Sequence, residues 1–423
     1  MSSWKVNNEN SVSDRANPWV IVAGGFHREG GMDKANLALA EYLIDTGTPV
    51  HVVCHSVDPD LSRHRLVTVH QVQRPAGSFL LGEPLLDLAG RKVARRVIAQ
   101  WPRAVVVVNG GNCIWPDVNW VHYVHHAWKP DTHTGPAWFR AKAAASDWLQ
   151  RRRERRAIQK ARLLITNSNL TSRHLVEHLD ADPSRIRTVY LGGESEWGAT
   201  TPEERALSRS ELQIPESRAV AVFVGAMGYD QRKGFDVLFE AWRLLCTRPE
   251  WDVDLLAAGS GSAIEMWQAR VAACGLEQRI RLLGFSRRID KLLAAADLLV
   301  SPVRYEAYGL NVQEAICRGV PAMVSTTAGV AERYGAELRE MLIEDPENAG
   351  ELVDRLWAWR ERREDWRARF EPLGKTLRGR GWPDMAREMA AIIRQQCAAG
   401  AGHQVFEHVA AGGKPVTQPG RAQ

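Results

Sequence analysis

No apolar run in the chain approaches the roughly 20 residues a helix needs to cross a bilayer, so helical membrane spans are not expected. The opening, MSSWKVNNENSVSDRANP, is polar and lacks an apolar core, which argues against a secretory signal. Cysteine is sparse. The 6 residues, Cys54, Cys113, Cys246, Cys274, Cys317 and Cys397, are scattered without metal-ligand spacing. They read as reduced, mostly buried thiols of a cytoplasmic protein, not as a disulfide frame or zinc site. The glycine-rich loops lack the Gly-x-Gly-x-x-Gly order, which counts against an NAD-dependent oxidoreductase. No motif reads as an Asp-x-Asp metal site, and neither a metal nor another cofactor is expected.

The rest of the composition is ordinary for a soluble globular protein, with 45% hydrophobic and 25% charged residues. A chain of 423 residues exceeds one typical core, so two domains are expected. The net charge of +5 is unevenly spread. Residues 1–194 carry 25 Lys and Arg against 18 Asp and Glu, whereas the remainder carries 30 against 32. The first half is therefore the one suited to a polyanion or an acidic surface.

The most informative stretch is Leu298 to Thr326, LLVSPVRYEAYGLNVQEAICRGVPAMVST. Its periodicity predicts a buried strand from Leu298, a polar loop with Arg304, Tyr305 and Glu306, and a helix from Leu310 to Arg318. Gly319 ends the helix and Pro321 leads into a second strand. This is the βαβ grammar of a parallel sheet, in which ligands bind at the carboxyl ends of strands. Glu306 sits at such an end, and Glu314 shares a helix face with Leu310. The helix start beyond Gly309 offers free N–H groups to an anion. Either glutamate alone would pass as a cap or a solvated carboxylate. Both together, framed by Gly309, Gly319 and Pro321, are harder to dismiss.

The same grammar runs along the chain. Pro18 to Gly25 reads as a first buried strand, followed by Gly30-Gly31, a helix from Met32 to about Thr46 and a strand at Val50 to Cys54. Residues 58–90 are mixed, with an amphipathic helix within Leu85 to Gln100. Ala104 to Val108 is a strand, and Trp120 to Trp128 alternates like one and ends in His125-His126. A long helix over Ala137 to Ala161 holds Arg151 to Arg156, and a strand at Leu163 to Ser168 feeds a helix over Thr171 to Leu179. Residues 1–17 read as a polar extension, 18–195 as the first domain and 196–217 as a linker. The second domain, 218–380, starts with a strand at Val220 to Val224 that runs into Gly225-Ala226. Arg232, Lys233 and Gly234 follow, before a helix with Phe235, Leu238, Phe239 and Trp242 on one face. A helix over 381–396 and a flexible tail over 397–423 complete the chain.

The frame Glu306-x-Tyr308-Gly309-Leu310-x-x-x-Glu314-Ala315, with seven residues between the glutamates, resembles the nucleotide-sugar site of retaining GT-B glycosyltransferases, family 4 in particular. It departs only at Ala307, where glycine is usual. The resemblance implies an α/β GT-B architecture: two Rossmann-like domains facing across a cleft, with the C-terminal helix crossing back to the first. It implies a nucleotide-sugar donor held by Lys233, Arg232, Gly225, Glu314, Tyr308, Gly309 and Leu310, and catalytic roles for Glu306 and for His125 or His126. A loop of Gly30, Gly31, Asp33 and Asn36 would face the acceptor and the diphosphate across the cleft. The family usually has an arginine directly after the first glycine of the second domain; this chain has Ala226, which leaves Arg232 as the candidate substitute. A glycan or lipid-linked acceptor would follow, and no nucleic-acid partner is expected. The basic helices around Arg91 to Arg96 and Arg151 to Arg156 would suit an anionic membrane surface, at the inner face of the membrane. A nucleotide-sugar epimerase of similar fold and a non-catalytic polyanion-binding protein are the rival readings.

Overall fold

The computed structural model describes residues 16–130, 133, 135–194 and 196–400. Two parallel sheets dominate it. The first runs, edge to edge, Val67–Gln71, Val50–Cys54, Trp19–Val22, Val105–Asn109, Val118–Val121, Leu163–Thr166 and Ile186–Thr188. The second runs Ile280–Gly284, Val253–Ala258, Ala219–Val224, Leu298–Ser301, Ala322–Ser325 and Leu342–Ile343. Central strands such as WVIV, VVVVN and AVAVFV are nearly continuous apolar runs because helices cover both faces of each sheet. The expected helix over Phe235–Leu245 buries Phe235, Leu238, Phe239, Trp242 and Leu245 against the second sheet.

In the second sheet Ala219–Val224 pairs with Val253–Ala258 on one side and Leu298–Ser301 on the other. The chain winds outward in both directions from that pair, which makes it a topological switch point. The loops leaving these two strands are the ones that carry Lys233 and Glu306. Sheet topology alone thus brings together residues more than seventy positions apart, at distances given below.

Three expectations need correction. The mixed region 58–90 holds a short helix, Pro59–Arg63, capped by Asp58, and an edge strand, Val67–Gln71. That strand was hidden because an edge position leaves VTVHQ only partly buried and lets it stay polar. The helix expected within Leu85 to Gln100 starts earlier, at Phe79, and accommodates Pro84. The third concerns the linker, which contains a helix, Pro202–Glu211, closed by a capping box between Thr201 and Glu204. Arg205 and Arg209 of this helix donate to the carbonyls of Ala295 and Ala296, and Arg205 pairs with Asp297 at 2.8 Å, so the helix belongs to the second domain.

The last helix, Trp382–Gly400, crosses back to the first domain. Arg394 lies over the Trp19 ring, and Gly381 bridges to Gly193. The tail expected from 397 overlaps the end of this helix. Residues 401–423, and 1–15 of the expected extension, lie outside the described residues. Among the described residues no helix is long and apolar enough to cross a membrane.

Candidate functional site

The loop after Ala219–Val224 is pinned from beneath. Gly234 adopts φ 70°, and a Cβ there would run into the Pro302 carbonyl, so only glycine lets this loop lie on the start of the Glu306 loop. Arg304, 7% exposed, ties the two loops together. It donates to Gln231 O at 2.6 Å and to both oxygens of Asp236 at 2.7 Å, while its backbone N–H reaches Arg232 O at 2.9 Å. A planar guanidinium with bidentate partners fixes direction as well as distance. Arg232 and Lys233 are therefore presented by a braced loop.

Both cations converge on Glu306. Lys233 donates to Glu306 Oε2, and Arg232 Nη1 lies 3.4 Å from the same oxygen. Burial alone would raise the Glu306 carboxyl, but Lys233 and Arg232 outweigh it and hold the group below the usual carboxylate range. Ala226, where the family carries a cation, is exposed and offers none. The Arg232 guanidinium stacks over the ring of Tyr123, from the first domain, at 5.5 Å from its centroid.

Glu314 sits in the helix Leu310–Cys317 and accepts from Lys34 of the first domain at 3.0 Å. Lys34 also pairs with Glu194 at 2.9 Å. Burial alone would lower the Lys34 ammonium, yet the two carboxylates raise it above its ordinary value. Glu314 itself is pushed above the usual range by burial, with Lys34 offsetting part of the shift. The helix begins at Gly309, at φ 106°, with no side-chain cap, which leaves its first N–H groups available to an anion. A Cβ on Gly309 would lie 2.9 Å from Val330 Cγ1. Gly309→Ala is therefore expected to cost about 1–3 kcal/mol in unfolding free energy. Denaturant titration checks this, and an unchanged midpoint would contradict it.

The first domain closes over these loops. Val124 N–H donates to the Tyr305 hydroxyl at 2.9 Å, and the Ser168 and Thr171 hydroxyls donate to Ala307 O at 2.7 and 3.1 Å. Glu332 caps the helix Asn169–Leu179 by accepting from the N–H groups of Asn169 and Leu170 at 2.8 and 3.1 Å. Gly31 abuts Leu310: a Cβ there would stand 3.3 Å from Leu310 Cδ2.

Several anticipated residues sit differently. His125 and His126 lie in a 3₁₀ turn, His125–Ala127, beyond the strand Val118–Val121, and both grip Glu154. Asn36 is fully buried and does not face the cleft; it donates to Gly25 O at 3.2 Å and accepts from Asn109 at 2.7 Å. Asp33 is partly buried against Gly25, its carboxyl raised by burial despite His27 and Arg74 nearby. The Tyr308 side chain is buried, its hydroxyl bonded to Gln313, so only its backbone is left to reach a donor. Gly225 makes room for the Lys233 stem, whose Cγ would lie 3.3 Å from a Cβ there. Lys34, a helix-start residue expected to face the cleft, does reach across it to Glu314, whereas Tyr305 and Glu154 were given no role by sequence reasoning. Glu154 looked like part of a solvated arginine run, yet with Ala157 and Ile158 it forms the buried stripe of its helix, and a lone acid on such a stripe was the available signal.

The three literal Asp-x-Asp sequences are committed elsewhere. Asp58 caps a helix and Asp60 pairs with Arg63, Asp180 pairs with Arg155 and Asp182 accepts from Ser184 N–H, whereas Asp252 and Asp254 pair with Arg360, Arg218 and Arg279. Among the described residues no group of three or more His, Cys, Asp or Glu could hold a metal ion.

Residues 29–196 match the family model described as Glycosyltransferase Family 4, and residues 218–359 the one described as Glycosyl transferases group 1. Among curated proteins, D-inositol 3-phosphate glycosyltransferases are similar. That of a Nocardioides species is 30% identical over 193 residues, covering 42% of this chain and 41% of the relative. That of a Mycobacterium species is 33% identical over 191 residues, covering 43% and 42%. The match thus spans about two-fifths of those relatives' length. Among solved structures, WaaG, a glycosyltransferase involved in lipopolysaccharide biosynthesis, superposes with a TM-score of 0.68 at 20% identity, covering 89% of this chain and 99% of WaaG. HepE of Anabaena, solved with UDP and glucose, gives a TM-score of 0.64 at 16% identity, covering 89% and 99%. At these identities the likeness establishes the fold.

Proposed function

With both halves matched by glycosyltransferase models, the chain belongs to the group 1 and family 4 glycosyltransferases of GT-B fold, and from that premise we propose that it moves a sugar from a nucleotide-sugar donor to a glycan or lipid-linked acceptor, with retention and without a metal ion. The observation that carries this reading is the convergence of Lys233 and Arg232 on Glu306 at the switch point of the second sheet. Two cations beside an uncapped helix start form a cradle for a diphosphate, and charge developing on the departing group is stabilised there without a metal. On donor binding the diphosphate takes over Lys233 and Arg232, and Glu306 is released to the sugar hydroxyls. Glu314 takes the ribose, with Lys34 displaced towards Glu194. His125 or His126 then flanks the reacting sugar from the first domain. No side chain is assigned as a covalent nucleophile, so the acceptor hydroxyl attacks on the donor's own face and its proton leaves with the diphosphate.

The test is a transfer assay with UDP-, GDP- and ADP-sugars, with UDP-sugars tried first because HepE was solved with UDP. Proton NMR of the product should show the donor's anomeric configuration, and excess chelator should leave the rate unchanged. An inverted product would overturn retention, and loss of activity with chelator would overturn metal independence.

For a lipid-linked acceptor the enzyme has to work at a membrane face. The expected basic patch is partly consumed by the fold: Arg91 pairs with Asp87, Arg151 with Asp147, and Arg155 with Asp180. Lys92, Arg95, Arg96, Arg152 and Arg156 stay exposed. Beside them stand exposed apolar side chains that charge counting did not show: Leu81, Leu85 and Leu88 on one helix, Trp138 and Trp148 on the other, at 41% to 68% exposure. Cations at about 1 kcal/mol each near an anionic surface, with insertable leucines and tryptophans, suit peripheral attachment. Co-sedimentation should favour anionic over neutral vesicles and weaken with salt, and Leu85→Asp with Leu88→Asp should reduce it several-fold. Equal partitioning on both vesicle types, or none, would remove the membrane reading.

A further inference from the structure

Glu154 is the one acid within Arg151 to Arg156, and its side chain is 1% exposed. Oε1 accepts from His125 N at 2.9 Å and from its Nδ1 at 3.0 Å, and Oε2 accepts from His126 N at 3.3 Å and from its Nδ1 at 2.7 Å. Burial alone would raise this carboxyl, but the hydrogen bonds from His125 and His126 hold it down to about 2, so it stays ionised. An ionised carboxylate only accepts, so both rings carry hydrogen on Nδ1 and turn Nε2 away from Glu154. The turn it grips is tied to the donor loop. Val124, the residue before it, donates to the Tyr305 hydroxyl, and the Tyr123 ring contacts His125 at 4.7 Å and Tyr305 at 4.9 Å. Tyr123 also lies under Arg232. A displaced turn would therefore move the neighbours of Glu306 as well as the histidines.

We propose that Glu154 is a positioning residue for sugar transfer: it locks the His125–His126 turn and the Nδ1–H tautomer of both rings, so that Nε2 of one of them meets the reacting sugar or acceptor hydroxyl as a hydrogen-bond acceptor. This rests on the reading that one of the two histidines flanks that sugar. A carboxylate serves two Nδ1–H donors at once. An amide cannot, because its nitrogen end only donates.

The test is Glu154→Gln in the full-length protein, read by nitrogen-15 NMR of labelled histidines and by steady-state kinetics. Wild type should show Nδ1–H for both rings. In the variant at least one should change tautomer, and kcat should fall about tenfold or more with donor KM within about twofold. Glu154→Asp, which keeps the charge but is one methylene shorter, should fall in between, and serves in place of the glutamine variant if that one does not fold. A lowered Tm with unchanged tautomers, or with unchanged kcat, would overturn the proposal by reducing Glu154 to a structural contact. His125→Ala and His126→Ala separate the two claims. If neither lowers kcat, the histidine reading fails and the catalytic proposal with it, whereas tautomers unmoved in Glu154→Gln beside an inactive histidine variant reject only the role of Glu154.

Discussion

Replacing Lys233 with alanine is expected to lower kcat/KM by about three orders of magnitude or more, below practical detection in most assays. Lys233 is the closest cation to Glu306, and in the proposed site, with Ala226 in place of the family's usual arginine, it would carry an unusually large share of the diphosphate charge. Its stem is held in the fold, packed where Gly225 leaves room, so the ammonium would meet a diphosphate at little entropic cost. Arg232→Ala should cost less, about 10- to 100-fold, because its guanidinium lies farther from Glu306 and also stacks on Tyr123. The single variants in a steady-state assay decide this, with Tm as the control for folding. A fully active Arg232→Ala enzyme would reject Arg232 as the second cation and leave the diphosphate held by Lys233 and backbone N–H groups.

The second large effect concerns the nucleotide itself. Glu314→Ala is expected to weaken nucleoside diphosphate binding by about 1.5–3 kcal/mol, which is about 10- to 150-fold in Kd. In the proposed site the buried carboxylate would make charged hydrogen bonds to ribose hydroxyls, and their removal would leave those hydroxyls no compensating partner. The cost should fall towards the lower end, because in the free protein Glu314 is already bonded to Lys34, and binding exchanges one partner for another. Titration calorimetry with the diphosphate that supports turnover is the direct check. An unchanged Kd would take the ribose away from Glu314.

Much of this architecture was legible from local pattern. Strands buried on both faces announce themselves as apolar runs, which is why Leu298–Ser301 and Ala219–Val224 stood out. Gly309 and Gly319 bracket the Glu314 helix as punctuation does, both at positive φ. The Glu306 and Glu314 candidates followed from a frame of fixed spacing, and Lys233 from the loop that leaves Gly225 ahead of a helix. What local pattern hides is partnership across the chain. Nothing near Asn36 announces Asn109, and nothing near Lys34 announces Glu314, 280 positions away. Tyr308 looked like a ligand contact because it stands in the same frame as Glu306 and Glu314, whereas its ring is claimed by the core. Glu154 was concealed by the arginines around it. Their charge dominates the reading, and only the apolar pair Ala157 and Ile158 one turn on marks the side of the helix that faces the protein.

The central claim, that the Glu306 and Lys233 loops bind a nucleotide sugar, is tested most directly by thermal shift. Wild type and Lys233→Ala are screened against UDP-, GDP- and ADP-sugars, the free diphosphates and NAD. The site described here predicts that one base series raises the Tm of wild type by several degrees, that the diphosphate shift largely vanishes in Lys233→Ala, and that NAD does nothing. Equal shifts in both proteins, or a shift with NAD alone, would contradict it.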